Sequence, residues 1–222
     1  MTHPAVAGAM MGDLPDECPI FPLTGVLLLP GGRLPLNMFE PRYLAMTEDA
    51  LAGGRHIGMI QPNPALPRGA TGPGLHRVGC LGRLVAFTET DDGRYLVTLA
   101  GICRFRIAAE LPMVRGYRRI RPDYTDFAAD RETTEPDPPI VRAELFTQLR
   151  AYFDRQGAEV HWQALEAMTD TGLIATLSMA CPFEPLEKQA LLEASSVRDR
   201  EQILRALLTF ETAGGIPPAR PS

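Results

Sequence analysis

The stretch Phe21–Met46, FPLTGVLLLPGGRLPLNMFEPRYLAM, contains the change of pattern that decides the fold. Its first part is apolar and predicts two strands, which are divided by a turn at Pro30-Gly31-Gly32. After Phe39 the apolar residues recur at helical spacing, and Gly53-Gly54 ends that run. The stretch therefore predicts strand, turn, strand and helix, in that order.

The FEPRY junction, residues 39–43, lies where the second predicted strand ends and the helix begins. Pro41 suits the first helical turn, where its missing N–H costs nothing. Glu40 precedes it, and a carboxylate is favoured near the positive end of the helix dipole. We therefore expect Glu40 and Arg42 to tie the strand end to the helix start, with Tyr43 partly buried. A catalytic role for this charged pair is the competing interpretation.

Prolines restrict where the first two strands can lie in a sheet. Pro22 and Pro35 have no N–H to donate to a ladder of hydrogen bonds. We expect both strands to lie at sheet edges or to contain bulges.

The rest of the chain separates into strands followed by helices. HIGMIQP predicts a short buried strand, Asp92-Gly93 a hairpin turn between two longer strands, and YRRIRPDYTDF one more strand. AADRETTEPDPP is an acidic, proline-rich connector, and everything after Ile140 has helical periodicity. Strands first and helices second indicate an α+β fold. The predicted organisation is a flexible tail at 1–16, a β domain at 17–127, a linker at 128–139, a helical subdomain at 140–213 and a flexible tail at 214–222.

Two helix starts can be assigned from the sequence. Pro185 is placed to begin one helix. Ser196 followed by Asp199 resembles a capping box, with Asp in place of the usual Glu.

The charge balance argues against nucleic acid as the main partner. The net charge is −5 and the pI about 5.4, whereas phosphate binding usually needs a basic surplus. The densest cationic cluster, Arg115–Arg121, surrounds Tyr117 and could hold an RNA backbone and a base. The structural alternative is that these arginines lie on a solvated strand face. In that case they would form ion pairs with nearby aspartates, namely Asp123, Asp126 and Asp130.

The cysteines and the apolar runs exclude several classes of protein. The four cysteines are scattered without metal-site spacing, so we expect small buried hydrophobic side chains, and no metal or other cofactor. The N-terminal segment lacks the features of a signal peptide, and no apolar run is long enough to span a bilayer. A cytoplasmic protein with no membrane partner is expected.

Motifs for common enzymatic chemistry are missing. The sequence contains no G-x-S-x-G, H-E-x-x-H or phosphate-binding loop, and its histidines are scattered. A Ser–Lys pair could use only Lys188, the single lysine, which we assign instead to charge pairing on a helix. We expect no enzymatic activity. A reaction of unknown type at the FEPRY junction is kept as a third hypothesis.

Three ordered blocks of sequence resemble one known family. FPLTGVLLLPGGRLPLNMFEPRYLAM resembles the opening of the Lon protease N-terminal, substrate-binding domain. DDGRYLVTLAGICRFRI resembles a hairpin of that domain, and CPFEPLEKQALLEASSVRDREQILRALL resembles its C-terminal helices. The resemblance covers about Ile20 to Phe210.

The resemblance implies a PUA-like, mostly antiparallel β domain followed by a C-terminal helical bundle. It also implies recognition of unfolded or exposed polypeptide segments in protein quality control. The sequence ends at Ser222 without the ATPase and peptidase domains, so a free-standing form is expected, and any peptidase label reflects homology to the recognition part. The residues predicted to bind are Phe39, Glu40 and Arg42. The alternative is an RNA- or nucleotide-binding PUA-like protein that uses Arg115–Arg121. A protease or chaperone partner cannot be named.

Overall fold

The computed structural model describes residues 14–132, 135–136 and 138–214. These residues form two compact units. The first contains residues 14–24 and 28–132, and the second contains residues 25–27, 135–136 and 138–214.

The first unit is a six-stranded sheet with one α-helix. Its strands are β1 (Cys18–Pro22), β2 (Arg33–Met38), β3 (His56–Ile60), β4 (Val78–Glu89), β5 (Tyr95–Val114) and β6 (Tyr117–Asp123), and its helix is α1 (Pro41–Ala52). The strand order is β2-β5-β4-β3-β1-β6, and β6 also pairs with β5, so five strands close into a ring. Only the β1–β3 pairing is parallel among the pairings of these strands. The predicted mostly antiparallel sheet is confirmed.

Pro35 and Pro22 have different positions in this sheet. Pro35 lies in β2, an edge strand as predicted. The prediction for Pro22 was wrong, because β1 lies between β3 and β6. Pro22 is tolerated because it is the last residue of β1, and the pairing with β6 ends earlier, at Ile20. Its missing N–H therefore leaves no gap in that ladder.

Glycines with positive φ occupy two turns of the first unit, one before β2 and one between β4 and β5. Gly31 has φ +76° and the Gly32 N–H donates to the Leu29 carbonyl at 2.9 Å, as in a type II turn with Pro30 before the glycine. The hairpin predicted at Asp92-Gly93 joins β4 to β5, and Gly93 has φ +77°. Both turns thus use glycine where a side chain would be strained.

The core of the first unit lies inside the closed ring of strands. Residues from β1, β3, β4, β5 and β6 point into it, together with one loop residue. They are Cys18, Ile20, Ile60, Leu75, Leu81, Phe105 and Ile120. Strand residues outside this cluster are buried as well, among them Met59 of β3 and Cys103 of β5.

A 3-10 helix, Thr125–Arg131, follows β6 where the sequence predicted the end of a strand and a connector. Asp130 in this helix forms a buried ion pair with Arg104 of β5. Asp126 pairs with Arg106 at the surface. The aspartates therefore do not neutralise the Arg115–Arg121 cluster, and that part of the prediction was wrong.

The second unit contains only helices among its described residues. They are α2 (Arg142–Gln156), α3 (Trp162–Glu166), α4 (Asp170–Ala180), α5 (Pro185–Glu193) and α6 (Val197–Ala213). The helical prediction after Ile140 is confirmed for these residues. In the described ranges, each helix is too short or too polar to cross a lipid bilayer.

The caps and the single lysine of this unit differ in detail from the predictions. The Ser196 hydroxyl accepts a hydrogen bond from the Asp199 N–H at 3.0 Å, so the predicted cap is present. The Asp199 carboxylate also accepts a hydrogen bond from the Ser195 hydroxyl. Lys188 is buried and donates to the Gly25 carbonyl at 3.0 Å. Its assignment to charge pairing on the helix was therefore wrong.

The four cysteines are free and buried, as predicted. Burial raises the pKa of the Cys18, Cys103 and Cys181 thiols from 9.0 to about 12.

These raised pKa values predict a loss of stability at alkaline pH. Between pH 9 and about 12 the unfolded chain releases thiol protons that the folded chain retains. The free energy of unfolding must therefore fall as pH rises through this range, and should be unaffected by these thiols below it. A series of urea denaturations from pH 7 to pH 11 measures the effect. An unchanged unfolding midpoint, or fast labelling of the native thiols at pH 8, would contradict the burial of these groups.

Candidate functional site

A cleft of about 340 Å³ lies in the first unit. The end of β2, the end of β1 with the residue after it, and the first turn of α1 form its walls. The lining residues are Phe21, Pro22, Leu23, Leu36, Asn37, Met38, Phe39, Glu40, Arg42 and Tyr43. Seven of these ten side chains are apolar or aromatic, so the cleft suits an apolar ligand group.

The floor of the cleft is held by aromatic packing. The rings of Phe21 and Tyr43 lie 4.3 Å apart between centroids, and both residues are buried. Burial raises the pKa of the Tyr43 phenol above its usual value, so the group is neutral at physiological pH. The Arg42 guanidinium lies 4.5 Å from the centre of the Tyr43 ring, which adds a cation–π contact at the rim.

The FEPRY junction forms the rim of the cleft at the start of α1. Pro41 occupies the first helical turn, as predicted. The Glu40 side chain makes no hydrogen bond to the helix backbone, and accepts instead from Arg42 Nε at 2.9 Å. Both side chains of this pair are nearly half exposed. Glu40 and Arg42 thus form a local surface ion pair with each other, and that they tie the strand end to the helix start stays a prediction.

The structure brings Phe39, Glu40 and Arg42 together at the mouth of the cleft. Phe39 is 63% exposed, which is unusual for a large aromatic side chain beside an apolar cleft. That these three residues bind a ligand stays a prediction. Sequence reasoning missed the other side chains of the cleft, although the alternation of Leu34, Leu36 and Met38 along β2 is a signal for one of its walls.

The exposure of the Glu40–Arg42 pair predicts a small effect on stability. Arg42→Ala should lower the melting temperature by only a few degrees at most, because exposed ion pairs contribute about 0–1 kcal/mol. Thermal unfolding of the variant beside the wild type measures this. A loss of more than about 10 °C would show that the junction is a major structural link and not a surface feature.

Carboxylates neutralise the Arg115–Arg121 cluster, the basis of the RNA alternative. Arg115 pairs with Glu48 at 2.7 Å and with Asp49 at 2.8 Å. Arg118 is buried and pairs with Glu110 at 2.7 Å. Glu17 contacts the two remaining arginines, Arg119 and Arg121. The cluster is thus not a free cationic surface for phosphates.

Helix α1 and the β5–β6 hairpin meet at this cluster. Arg115 and Gly116 form the hairpin turn, with φ +47° and +86°, which is the pattern of a type I′ turn. The Tyr117 hydroxyl donates to Asp49 at 2.8 Å, and burial together with this bond raises the pKa of Tyr117 to about 12. The same bond lowers the pKa of Asp49. These contacts support a structural role for the cluster.

The polar side chains that line the cleft are Asn37, Glu40, Arg42 and Tyr43. No serine, cysteine, histidine or lysine lines it. Throughout the described residues, no three His, Cys, Asp or Glu side chains lie together as potential metal ligands. The arrangement can bind an apolar group and orient a polar one, but it offers no nucleophile–base pair.

Comparison with protein-family models identifies one match. The model described as "ATP-dependent protease La (LON) substrate-binding domain" matches residues 17–209. Among curated proteins, Lon protease 2 of Myxococcus xanthus is 25% identical over 88% of this chain, and 24% of that protein is covered. Lon protease of Anaeromyxobacter dehalogenans is 24% identical over the same share, with 23% of it covered. The chain thus spans about a quarter of the length of these relatives.

Solved structures show the same fold. The Lon N-terminal domain protein from Xanthomonas campestris superposes with a TM-score of 0.57 and 22% identity, covering 85% of this chain and 96% of that one. The N-terminal domain of Mycobacterium avium complex Lon protease gives a TM-score of 0.60 and 18% identity, covering 90% and 100%.

Proposed function

The chain belongs to the family of LON substrate-binding domains, and we propose that it is a non-catalytic module that binds exposed apolar segments of unfolded polypeptides. Protein quality control is the process in which such a module would act. The proposed binding residues are Phe39, Glu40 and Arg42.

The observation that supports this proposal most is the exposed Phe39 beside an apolar cleft. Monomeric proteins bury most of their large aromatic side chains, and an exposed one next to a concave apolar surface is typical of a binding site. The cleft volume of about 340 Å³ is enough for one or two large side chains of a ligand. The Glu40–Arg42 pair provides a polar rim.

The same features predict moderate affinity. An unfolded client must be ordered when it binds, which reduces the affinity obtained from each contact. We therefore expect dissociation constants in about the micromolar range or weaker. Salt should have little effect, because apolar contact is not screened by ions.

Fluorescence anisotropy with a permanently unfolded protein tests the proposal. Labelled, reduced and carboxymethylated lactalbumin should bind, and native lactalbumin should not. The dissociation constant should change less than about threefold between low and high salt. Equal binding of the native and unfolded forms, or no binding of either, would refute the proposed function.

RNA binding is the second candidate, and the ion pairs of the Arg115–Arg121 cluster do not favour it. The same assay includes a labelled single-stranded RNA. Tight RNA binding that collapses as salt rises, without binding of unfolded protein, would establish this alternative instead.

The absence of enzymatic activity is also part of the proposal. The purified chain should hydrolyse neither ATP nor peptides, because the sequence lacks a phosphate-binding loop and the cleft lacks a nucleophile–base pair. Release of phosphate or of peptide fragments above the level of a buffer control would contradict it.

A further inference from the structure

The unpaired edge of β2 borders the cleft. Within the described part of the chain, β2 pairs only with β5, so one side of the strand has no neighbour. Asn37 and Met38, at the end of β2, also line the cleft. A ligand in the cleft would therefore lie beside an open sheet edge, where backbone groups can form hydrogen bonds.

The pairing with β5 shows which backbone groups of β2 face this open side. The Gly32 carbonyl accepts from the Gly101 N–H at 2.9 Å, so Gly32 faces β5. Alternate residues of an antiparallel strand face the same neighbour, so Leu34, Leu36 and Met38 also face β5. The backbone groups of Arg33, Pro35 and Asn37 then face outward. This explains why the edge tolerates Pro35, whose missing N–H would point away from the ladder.

We propose that the occupant of the cleft is an extended polypeptide segment that adds to the free edge of β2 as a further strand. The Asn37 N–H and carbonyl bond to its backbone, while an apolar side chain enters the cleft beside Phe39. This proposal rests on the proposed function, and it adds the binding mode. Recognition through backbone groups suits a module whose clients differ in sequence, since every polypeptide has the same backbone.

Charge along β2 restricts the occupant further. Arg33 lies on the same face of β2 as Asn37 and is exposed, and it forms no ion pair within the described residues. Four residues of an extended strand span roughly 13 Å. An added strand with an acidic residue about four positions from its apolar anchor would place a carboxylate beside Arg33. We expect such a peptide to bind a few-fold more tightly than the matched peptide with lysine at that position.

Two variants at one position separate backbone recognition from side-chain recognition. Asn37→Pro removes the outward N–H and leaves the ladder with β5 intact, as Pro35 does in the native strand. Asn37→Ala retains the N–H and removes only the side-chain amide. The probe is a fluorescein-labelled, unstructured peptide with a central phenylalanine between serines and threonines and an aspartate about four residues away.

Strand addition predicts that Asn37→Pro weakens peptide binding at least about tenfold more than Asn37→Ala does. Equal effects of the two substitutions would overturn the proposal. Because Asn37→Pro could disturb folding, the wild-type protein is also tested with peptides methylated at one backbone nitrogen at a time. Methylation should weaken binding about tenfold at alternate positions and little between them.

The outcomes distinguish this proposal from the proposed function. If lactalbumin binds while methylation has no alternating effect, strand addition is wrong and the proposed function stands. If the peptide fails to bind while unfolded lactalbumin binds, strand addition at this edge is also wrong. If neither binds, both proposals fail.

Discussion

Replacing Asp130 with alanine should lower the free energy of unfolding of the first unit by about 3–5 kcal/mol. Arg104 and Asp130 have only 6% and 10% of their side chains exposed. The Asp130 carboxylate accepts from Arg104 Nε and Nη2, both at 2.8 Å, and from the Arg104 backbone N–H at 2.9 Å. Alanine would leave the guanidinium charge buried without this carboxylate, so its desolvation would be compensated much less.

The same helix contains a matched control. Asp126 pairs with Arg106, but these side chains are 57% and 48% exposed. Asp126→Ala should cost less than about 1 kcal/mol. Hydrogen exchange of the β5 amides is the suitable measurement, because the single tryptophan, Trp162, lies in the second unit. Equal losses of protection in the two variants would show that burial of the Arg104–Asp130 pair is not what fixes this helix.

The local parts of this fold could be predicted from the sequence, because neighbouring residues determine them. Helix α1 has the predicted bounds, since Pro41 suits its first turn and Gly53 follows its last residue. The hairpin at Asp92-Gly93 depends in the same way on two adjacent residues. The position of β1 in the middle of the sheet depends on distant strands, so Pro22 alone could not reveal it.

Ion-pair partners were predicted least well, because sequence proximity is a poor guide to contacts across a sheet. Arg115 contacts Glu48 and Asp49, which lie more than sixty residues earlier in the chain. The aspartates close to the cluster in sequence pair elsewhere or bond locally, as Asp123 does with Thr125. The carboxylates that neutralise these arginines can be identified only from the three-dimensional arrangement of the strands and α1.

The candidate site was predicted in part. FEPRY identified Phe39, Glu40 and Arg42 because charges beside a proline stand out in an apolar stretch. Phe21 and Leu23 could not be assigned to the same cleft, since the pairing of β1 with β3 and β6 places them there. Because separate segments of the chain form the cleft, its full lining can be identified only from the tertiary fold.

Substituting Phe39 with serine should weaken the binding of unfolded polypeptide by about 10- to 100-fold. That change in the dissociation constant corresponds to about 1.4–2.8 kcal/mol, which is typical of truncating a central aromatic contact of an interface. Stability should remain within about 0.5 kcal/mol of the wild type, because a side chain that is 63% exposed contributes little to the core. A loss of binding without a loss of stability would assign Phe39 to recognition.

The dissociation constants of Phe39→Ser and Phe210→Ser for reduced and carboxymethylated lactalbumin test the central claim most directly. Phe210 lies on α6 and is 64% exposed, so it matches Phe39 in residue type and exposure but lies outside the cleft. We expect weaker binding by at least about tenfold for Phe39→Ser, and binding within about twofold of the wild type for Phe210→Ser. Equal binding by both variants and the wild type would contradict the assignment of the cleft as the polypeptide-binding site.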